Sequence, residues 1–565
     1  MKFNEYPYER PDFEKTKTKS LDFLRQIKNA ENMQEILDAV NKYINMVLYI
    51  NSMNTISDIR HSIDNSDTFY NRENDWWDEY IPYFLELNTQ YYKVISSSPF
   101  LKDLKAVFPD TYFKIIENKL MTFDEKIIND LQEENKLVSS YNRIIASAGI
   151  PFDDKILNLA QLKPYTESPE RKIRMEATQA QWDFFKKHES EFDDIYDKLV
   201  KIRDKMARKL GYKNYVEMGY KRMNRFDYDE KMVVIFRRQV LNEVVPVANK
   251  LYNRQAKRIG VDKIKYYDIN LHFIDGNAVP VGTYEDTIEK GRKMYHELST
   301  ETSEFIDHML DNGLMDLIAK PGKESGGYMT FLFNTKSPFI FANFNGTSSD
   351  VDVLTHEAGH AFQGYQSRNI NLPEVLMPTH ESCEIHSMSM EFITWPYMEY
   401  FFGKKADKYR YSHLSESVKF IPYGVLVDHF QHEVYHNPNM TPEQRKKTWR
   451  TLEKQYRPHI DYDGNEFAEK GTWWYRQGHI FQTPFYYIDY TLAQVCAFQF
   501  WKRIHIDNDS KAWDDYLKIC KIGGTQSFTQ IVKTANLISP FEEGCLKKVI
   551  HEIDHLLETI DDTKL

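Results

Sequence analysis

Apolar residues recur at three- and four-residue intervals over long stretches of this chain, the period of helices that bury one face. From Ser20 to Ile50 the pattern runs through Leu21, Phe23, Leu24, Ile27, Ile36, Leu37, Val40, Ile44 and Leu48, and predicts one long amphipathic helix. Comparable patterns continue to about Arg208, punctuated at Ser97–Pro99, Pro109 and Pro151. Tyr212–Met223 and Lys231–Ile259 are further helical candidates. The texture changes once. GGYMTFLFNTKSPFIFANFN, Gly326 to Asn345, holds two aromatic and β-branched runs around a polar turn with Pro338, which predicts a hairpin or small sheet. Helical spacing then resumes to the end. With no fixed-period repeat and no low-complexity linker, the division is soft: an N-terminal helical lobe over 1–205, then a second region over 206–565. The expected fold is mostly α, with one small β element.

Composition agrees with that reading. Only 22 Gly and 21 Pro interrupt 565 residues, which leaves room for long helices. The formal net charge of −11, without a basic block, argues against nucleic acid or an anionic membrane as a main partner. Cys383, Cys496, Cys520 and Cys545 are scattered and form no CxxC pair, so neither a disulfide framework nor a zinc ribbon is expected. The opening MKFNEYPYERPDFEKTK is polar where a secretion signal would be apolar, and no apolar run is long enough to span a bilayer. A soluble cytoplasmic protein is expected.

The segment after the predicted hairpin carries HEAGH, His356 to His360. Residues i and i+4 share a helix face, so His356 and His360 can hold one tetrahedral Zn²⁺. Glu357 is rotated about 100° from His356, beside the metal, where it can deprotonate a water. Ser349 and Asp352 fit a capping box for this helix, and Val351, Leu354, Ala358, Ala361, Phe362 and Tyr365 form its buried stripe. Gly359 costs helix stability, which implies that something packs close against it. Gln363 and Gln366 stand where a third histidine motif would need Gly and His, so the third ligand must come from elsewhere. A second helix opening near Pro378 offers Glu381, Glu384 and Glu391 on one face, amid Met388, Met390, Phe392 and Ile393. Glu384 is the preferred ligand and Glu381 the alternative. The others are expected to accept hydrogen bonds from the ligand imidazoles or to serve as structural partners.

HEAGHAFQGYQS, PTHESCEIHSMSMEF and HIFQTPFYYIDY, in that order, resemble the M3 family of zinc peptidases, in its oligoendopeptidase F and Pz-peptidase branch. The likeness covers Leu210 to the C-terminus and, weakly, the helices before it. It implies a two-lobed helical shell around a deep channel that admits short peptides and excludes folded proteins. It also implies His356, His360 and Glu384 as zinc ligands, Glu357 as general base, and His479 with Tyr486 and Tyr490 as groups that hold the substrate and stabilise the oxyanion. The residues agree in part. Thr483 and Pro484 suit the opening of a helix, and Tyr486 and Tyr490 then lie one turn apart.

The expected reaction is zinc-dependent hydrolysis of internal bonds in short peptides, with the strand around Phe339–Asn345 pairing the extended substrate. A carboxypeptidase or dipeptidyl carboxypeptidase would need a cation such as Arg476 for the substrate's C-terminal carboxylate. A catalytically silent peptide-binding protein is the remaining alternative. Three other features read as structural. His429, His432 and His436 share a helix face without a distant fourth group. Asp461–Glu466 sets Gly464 one step early for a calcium loop, and Cys383 lacks a histidine partner. Gly326–Gly327 is too short for a nucleotide loop and suits close backbone approach by a peptide.

Overall fold

The computed structural model describes all residues from Met1 to Leu565. Its first predicted helix is two helices. α1 (Phe13–Asn29) stops at Ala30, and α2 (Met33–Ile63) begins after Asn32, whose side chain accepts the Glu35 N–H at 3.1 Å. The apolar period resumes on both sides of this cap, so periodicity alone passes over the break. Tyr212–Met223 is observed as Tyr215–Arg222. Lys231–Ile259 is observed as helical turns from Glu230 to Arg258, with a π turn at Val240–Val244 inside. A small hairpin, Ile150–Phe152 with Lys155–Leu157, was not expected around Pro151.

The expected hairpin is present within a three-stranded sheet. β1 (Met315–Ile318) runs parallel to β3 (Ser337–Phe344), and β2 (Tyr328–Leu332) runs antiparallel to it, giving the order β1-β3-β2. Lys336 takes the left-handed turn between β2 and β3, with φ 50°. Pro338 lies inside β3, opposite Phe331, rather than in the turn. The central place of β3 corrects one expectation. β3 pairs with β2 over Ser337–Phe341 and with β1 over Ile340–Phe344, so it lies between them and the edges of the sheet belong to β1 and β2.

Four helices follow: α3 (Ser349–Ser367), α4 (His380–Ile393), α5 (Ala406–His436) and α6 (Tyr487–His505). α4 packs between α3 and α6, and α5 packs against α6. The capping box expected at α3 is absent, because neighbours claim its side chains. Lys163 donates to Ser349 Oγ, and Tyr409 OH donates to Asp352 at 2.7 Å. The turn into α3 is held by Asp350 instead, whose carboxylate accepts the Asn345 and Gly346 N–H groups at 2.9 and 2.8 Å. Pro378 precedes the first turn of α4, whose N-cap is Thr379.

One continuous core reaches from Phe3 to Leu557. A smaller core under α1 and α2 gathers Leu24, Ile27, Val40 and Tyr43 with Leu372 and Val375, from the linker between α3 and α4. Tyr92 OH donates to Glu374 in that linker at 2.9 Å. The N-terminal helices therefore brace the connection between the two helices that carry the predicted ligands. The helix Glu189–Lys209 passes through the 205/206 division without a break.

Candidate active site

α3 and α4 cross at Gly359. A Cβ there would stand 2.6 Å from Ser387 Cα and 2.7 Å from the His386 carbonyl oxygen, so only a residue without a side chain allows this approach. The closeness brings the two helices' functional groups together. His356 Nε2 and His360 Nε2 each lie 3.3 Å from Glu384 Oε2. No other group of His, Cys, Asp or Glu side chains in the chain converges in a way that could hold a metal ion. Donors about 2.0–2.1 Å from a tetrahedral zinc are roughly 3.3–3.4 Å apart, so the trio fits that ion in donor chemistry and in spacing.

The surroundings orient the trio. Glu391 accepts from His356 Nδ1 at 2.7 Å and, through its other oxygen, from His413 Nε2 at 2.7 Å. Trp395 N–H donates to His413 Nδ1 at 3.1 Å, which fixes the His413 proton on Nε2. Burial alone would raise Glu391, but the His356 and His413 hydrogen bonds hold it below the usual carboxylate range. It therefore keeps His356 with Nδ1–H inward and the Nε2 lone pair toward Glu384. Glu381 does neither job. It lies about 60° around the helix from Glu384, whereas Glu391 is only about 20° off. Buried and turned toward Asp489 and Arg225, its carboxyl is raised by burial and then by the Asp489 charge. Ser387 Oγ and Tyr486 OH donate to the two Glu384 oxygens at 2.8 and 2.6 Å.

Glu357 is 6% exposed, and its Oε2 has no hydrogen-bond partner. Burial raises its carboxyl above the usual range, against the pull of His356 and His360.

A third segment completes the cluster. Tyr423 OH donates to Gln477 Oε1 at 2.8 Å, which turns the Gln477 amide N–H toward His479 Nδ1 at 2.8 Å. The His479 proton therefore resides on Nε2, 3.0 Å from Tyr490 Oη. Burial pushes His479 down to about 4, so the ring is neutral near pH 7. Burial likewise raises the Tyr486 and Tyr490 phenols and keeps them protonated. The helix bearing the tyrosines opens at Tyr487, not at Pro484 as expected. Phe485 intervenes with φ 70°, a costly conformation for a residue with a side chain. Gln431 accepts its N–H at 2.9 Å, Arg225 donates to its carbonyl at 2.5 Å, and its ring is fully buried. This elbow stacks Tyr486 against Tyr490, with centroids 5.1 Å apart.

The His356–His360–Glu384 trio, Glu357, Gln477, His479, Tyr486 and Tyr490 line one cavity of about 1270 Å³, large beside the ~300–1,000 Å³ of small-molecule sites. Gly326 to Phe331, leading into and along β2, forms part of the wall. Tyr141 and Phe185 contribute from before residue 205, His356 and His479 from after it.

The chain matches the model of peptidase family M3 over residues 164–549 and that of the peptidase M3 N-terminal domain over residues 3–123. The chain belongs to peptidase family M3. It is 24% identical over 470 residues to an oligoendopeptidase F homolog of Borreliella burgdorferi, covering 79% of this chain and 76% of that one. Among solved structures, Pz peptidase A with an inhibitor is similar over 100% of both chains, at 51% identity and a TM-score of 0.99. Oligoendopeptidase F from Enterococcus faecium shares the fold, at 15% identity and a TM-score of 0.59 over 98% of this chain and 99% of that one. The M3 chain is thus a metallo-oligopeptidase, and its mostly helical fold is the family's.

Several features take no part in the donor cluster of this M3 site. His432 is held by Tyr220, Arg237 and Asp428, His429 by Tyr456, and His436 by Glu230 and Asn214, so the three rings have separate structural partners. Asp461 and Asp463 pair with Lys263 and Lys265. Cys383 Sγ lies 3.4 Å from the Pro378 carbonyl, and burial raises its thiol. Gln477, Tyr423 and His413 were not among the expected site residues, whereas Gly326–Gly327, expected to admit a peptide backbone, leads into β2 on the cavity wall. Of these, Gln477 had a signal, being two residues from His479.

Proposed function

We propose that this M3 peptidase holds one Zn²⁺ through His356, His360 and Glu384 and cleaves internal bonds of short peptides in the cytoplasm. The observation that carries this reading is the pair of 3.3 Å donor spacings beside the unpartnered Glu357 oxygen in a single cavity. A Zn²⁺ bound there supplies Lewis acidity, which polarises the scissile carbonyl and acidifies a water. Glu357 takes the proton from that water as its oxygen bonds to the carbonyl carbon, then delivers it to the amine nitrogen as the C–N bond breaks. His479 Nε2–H and Tyr490 OH donate to the developing oxyanion. Tyr486 anchors Glu384 through its second oxygen and stands beside Tyr490 on the same wall. The substrate lies extended along β2, the edge strand that lines the cavity. Its backbone supplies the pairing groups, so many sequences fit. No helix is long and apolar enough to cross a membrane, in keeping with the proposed location. The cavity walls drawn from residues 1–205 and 206–565 support a channel between two lobes.

The test is an internally quenched peptide of about eight residues with both ends blocked. Cleavage at an internal bond, lost on chelation and regained with zinc, is expected. Cleavage that survives complete metal removal would sink the proposal.

The role of Gln477 gives a pH signature. A glutamate at 477 would accept from Nδ1 and draw the proton there. It would also stabilise the imidazolium, raising the His479 pKa from about 4. Above that raised pKa the neutral ring would present a bare Nε2 lone pair to the oxyanion, the wrong tautomer. Gln477→Glu should therefore lower kcat by about 10²-fold at about pH 8 and recover partly toward about pH 6, where the imidazolium donates again. A kcat-against-pH ratio to wild type that stays flat would contradict the tautomer assignment.

A further inference from the structure

The helix Tyr215–Arg222 ends in a turn that places one cation in the core. Asn224 is left-handed, with φ 55°, and its N–H donates to the Lys221 carbonyl at 3.0 Å. The Arg225 N–H donates to the Tyr220 carbonyl at 3.1 Å, which completes the helix cap. The Arg225 side chain is 0% exposed, with its guanidinium carbon 4.6 Å from the Tyr220 ring centroid and 5.4 Å from that of Tyr228. One nitrogen makes both of its side-chain hydrogen bonds. Nη2 donates to the Phe485 carbonyl at 2.5 Å and to Asp489 Oδ1 at 2.7 Å. These are the residues immediately before Tyr486 and Tyr490, so a single buried nitrogen pins the step ahead of each tyrosine. Both tyrosines line the cavity, and Arg225 does not. Gly219, on the helix that precedes the turn, packs against the elbow: a Cβ there would stand 2.7 Å from two Phe485 ring atoms. Glu381 on α4 and Asp489 on α6 both act on Arg225, so the helix of Glu384 and the helix of Tyr490 share one buried counter-charge.

We propose that Arg225 is a positioning residue for the hydrolysis, holding Tyr490 where its hydroxyl meets the oxyanion, although it never touches the peptide. This rests on the peptidase reading above and extends it to a residue outside the cavity. The left-handed Phe485 costs free energy, and its carbonyl needs a firm anchor. A desolvated guanidinium supplies one, because charge-assisted hydrogen bonds are shorter and stronger than neutral ones. Without it, Phe485 relaxes to ordinary backbone angles, Tyr486 turns with it, and the Tyr490 ring loses the neighbour stacked on it. The second bond acts more directly. Asp489 sits in the first turn of α6 beside Tyr490, and its bond to Arg225 fixes the roll of the helix there. An oxyanion donor counts only in the transition state, where a displacement of about 1 Å is costly. The loss of Arg225 therefore falls on kcat, while KM stays near its wild-type value.

The experiment measures kcat and KM on the doubly blocked peptide for Arg225→Met and Arg225→Lys, each with Tyr490 intact and in a Tyr490→Phe background. Arg225→Met should lower kcat about 10- to 100-fold, at most the loss from removing an oxyanion donor outright, with KM within about threefold of wild type. Because one nitrogen makes both bonds, an ammonium can stand in for it, and Arg225→Lys should recover most of the lost kcat. In the Tyr490→Phe background, Arg225→Met should cost less than about threefold, since the donor it positions is already gone. An arginine that only supports the fold would lower kcat by the same factor in both backgrounds. That outcome, or a Tyr490→Phe enzyme with wild-type kcat, would overturn the proposal. Removing a buried cation leaves Asp489 uncompensated and can prevent folding, so Gly219→Ala is the second variant. Its methyl presses on the Phe485 ring and leaves every charge in place. It should reproduce the kcat loss and the dependence on Tyr490, and wild-type kcat there would count against the elbow. Zinc content and thermal midpoint establish that each variant is folded. Zinc-dependent internal cleavage of the same peptide by wild type tests the peptidase reading separately, so the two failures cannot be confused.

Discussion

Glu357→Gln should lower kcat by about 10²- to 10⁴-fold, the range for loss of a general base, while zinc binding stays at the wild-type level. Glutamine keeps the shape of the side chain and removes only the capacity to accept and release a proton. The residue lies one step along α3 from His356, so it can stand beside the metal without binding it. Stability provides a second reading. Burial raises the Glu357 carboxyl in the folded chain, so the folded state holds its proton to higher pH than the unfolded state. A raised carboxyl contributes stability below the unfolded pKa and loses it as pH rises. As pH rises, the chelated wild type therefore bears the cost of ionising a buried carboxyl with an unpartnered oxygen, and the variant does not. In calorimetry on chelated protein, the melting temperature of Glu357→Gln should gain on that of the wild type as pH is raised. A variant that keeps its zinc and more than about a tenth of wild-type kcat would remove Glu357 from the base role.

The parts of the site that were legible in the sequence are those set by the geometry of a single helix. The i, i+4 spacing placed His356 and His360 on one face. The seven-residue step from Glu384 to Glu391 put both carboxylates within about 20° of each other. Gly359 was legible as a close crossing because glycine inside a helix has a known cost. What the reading lost depends on contacts between distant segments. The Ser349–Asp352 cap failed because Lys163 and Tyr409 reach those side chains from elsewhere in the fold. The helix at Tyr487 begins late because Arg225 and Gln431 stabilise a left-handed Phe485 that local preference disfavours. Which strand presents a free edge is a property of the sheet, and β1, the strand that makes β3 central, is only four residues long. Gln477 acts through its two hydrogen bonds to Tyr423 and His479, which composition and period do not reveal.

The crossing at Gly359 should tolerate no side chain. A methyl group there would sit 2.6 Å from Ser387 Cα, 2.7 Å from the His386 carbonyl oxygen and 3.0 Å from Met390 Cβ. The first two are backbone atoms of α4 and cannot rotate away, so α3 and α4 must part. Parting them carries Glu384 away from His356 and His360, whose donor spacings are set by this contact. Alanine would gain about 1 kcal/mol of helix propensity over glycine, but overpacking of a buried contact costs about 1–3 kcal/mol and here falls on rigid atoms. Gly359→Ala should thus lower the thermal midpoint and weaken zinc binding by at least about tenfold, and Gly359→Leu should abolish both zinc binding and activity. Gly364→Ala, on the same helix, is the control. Its added methyl would meet only Met377 Sδ and the Phe331 ring at 3.3 Å, side-chain atoms that can shift. If Gly359→Ala binds zinc as wild type does and melts no lower than Gly364→Ala, the helix contact does not set the metal site. The Glu384 carboxylate would then owe its position to Ser387 and Tyr486 alone.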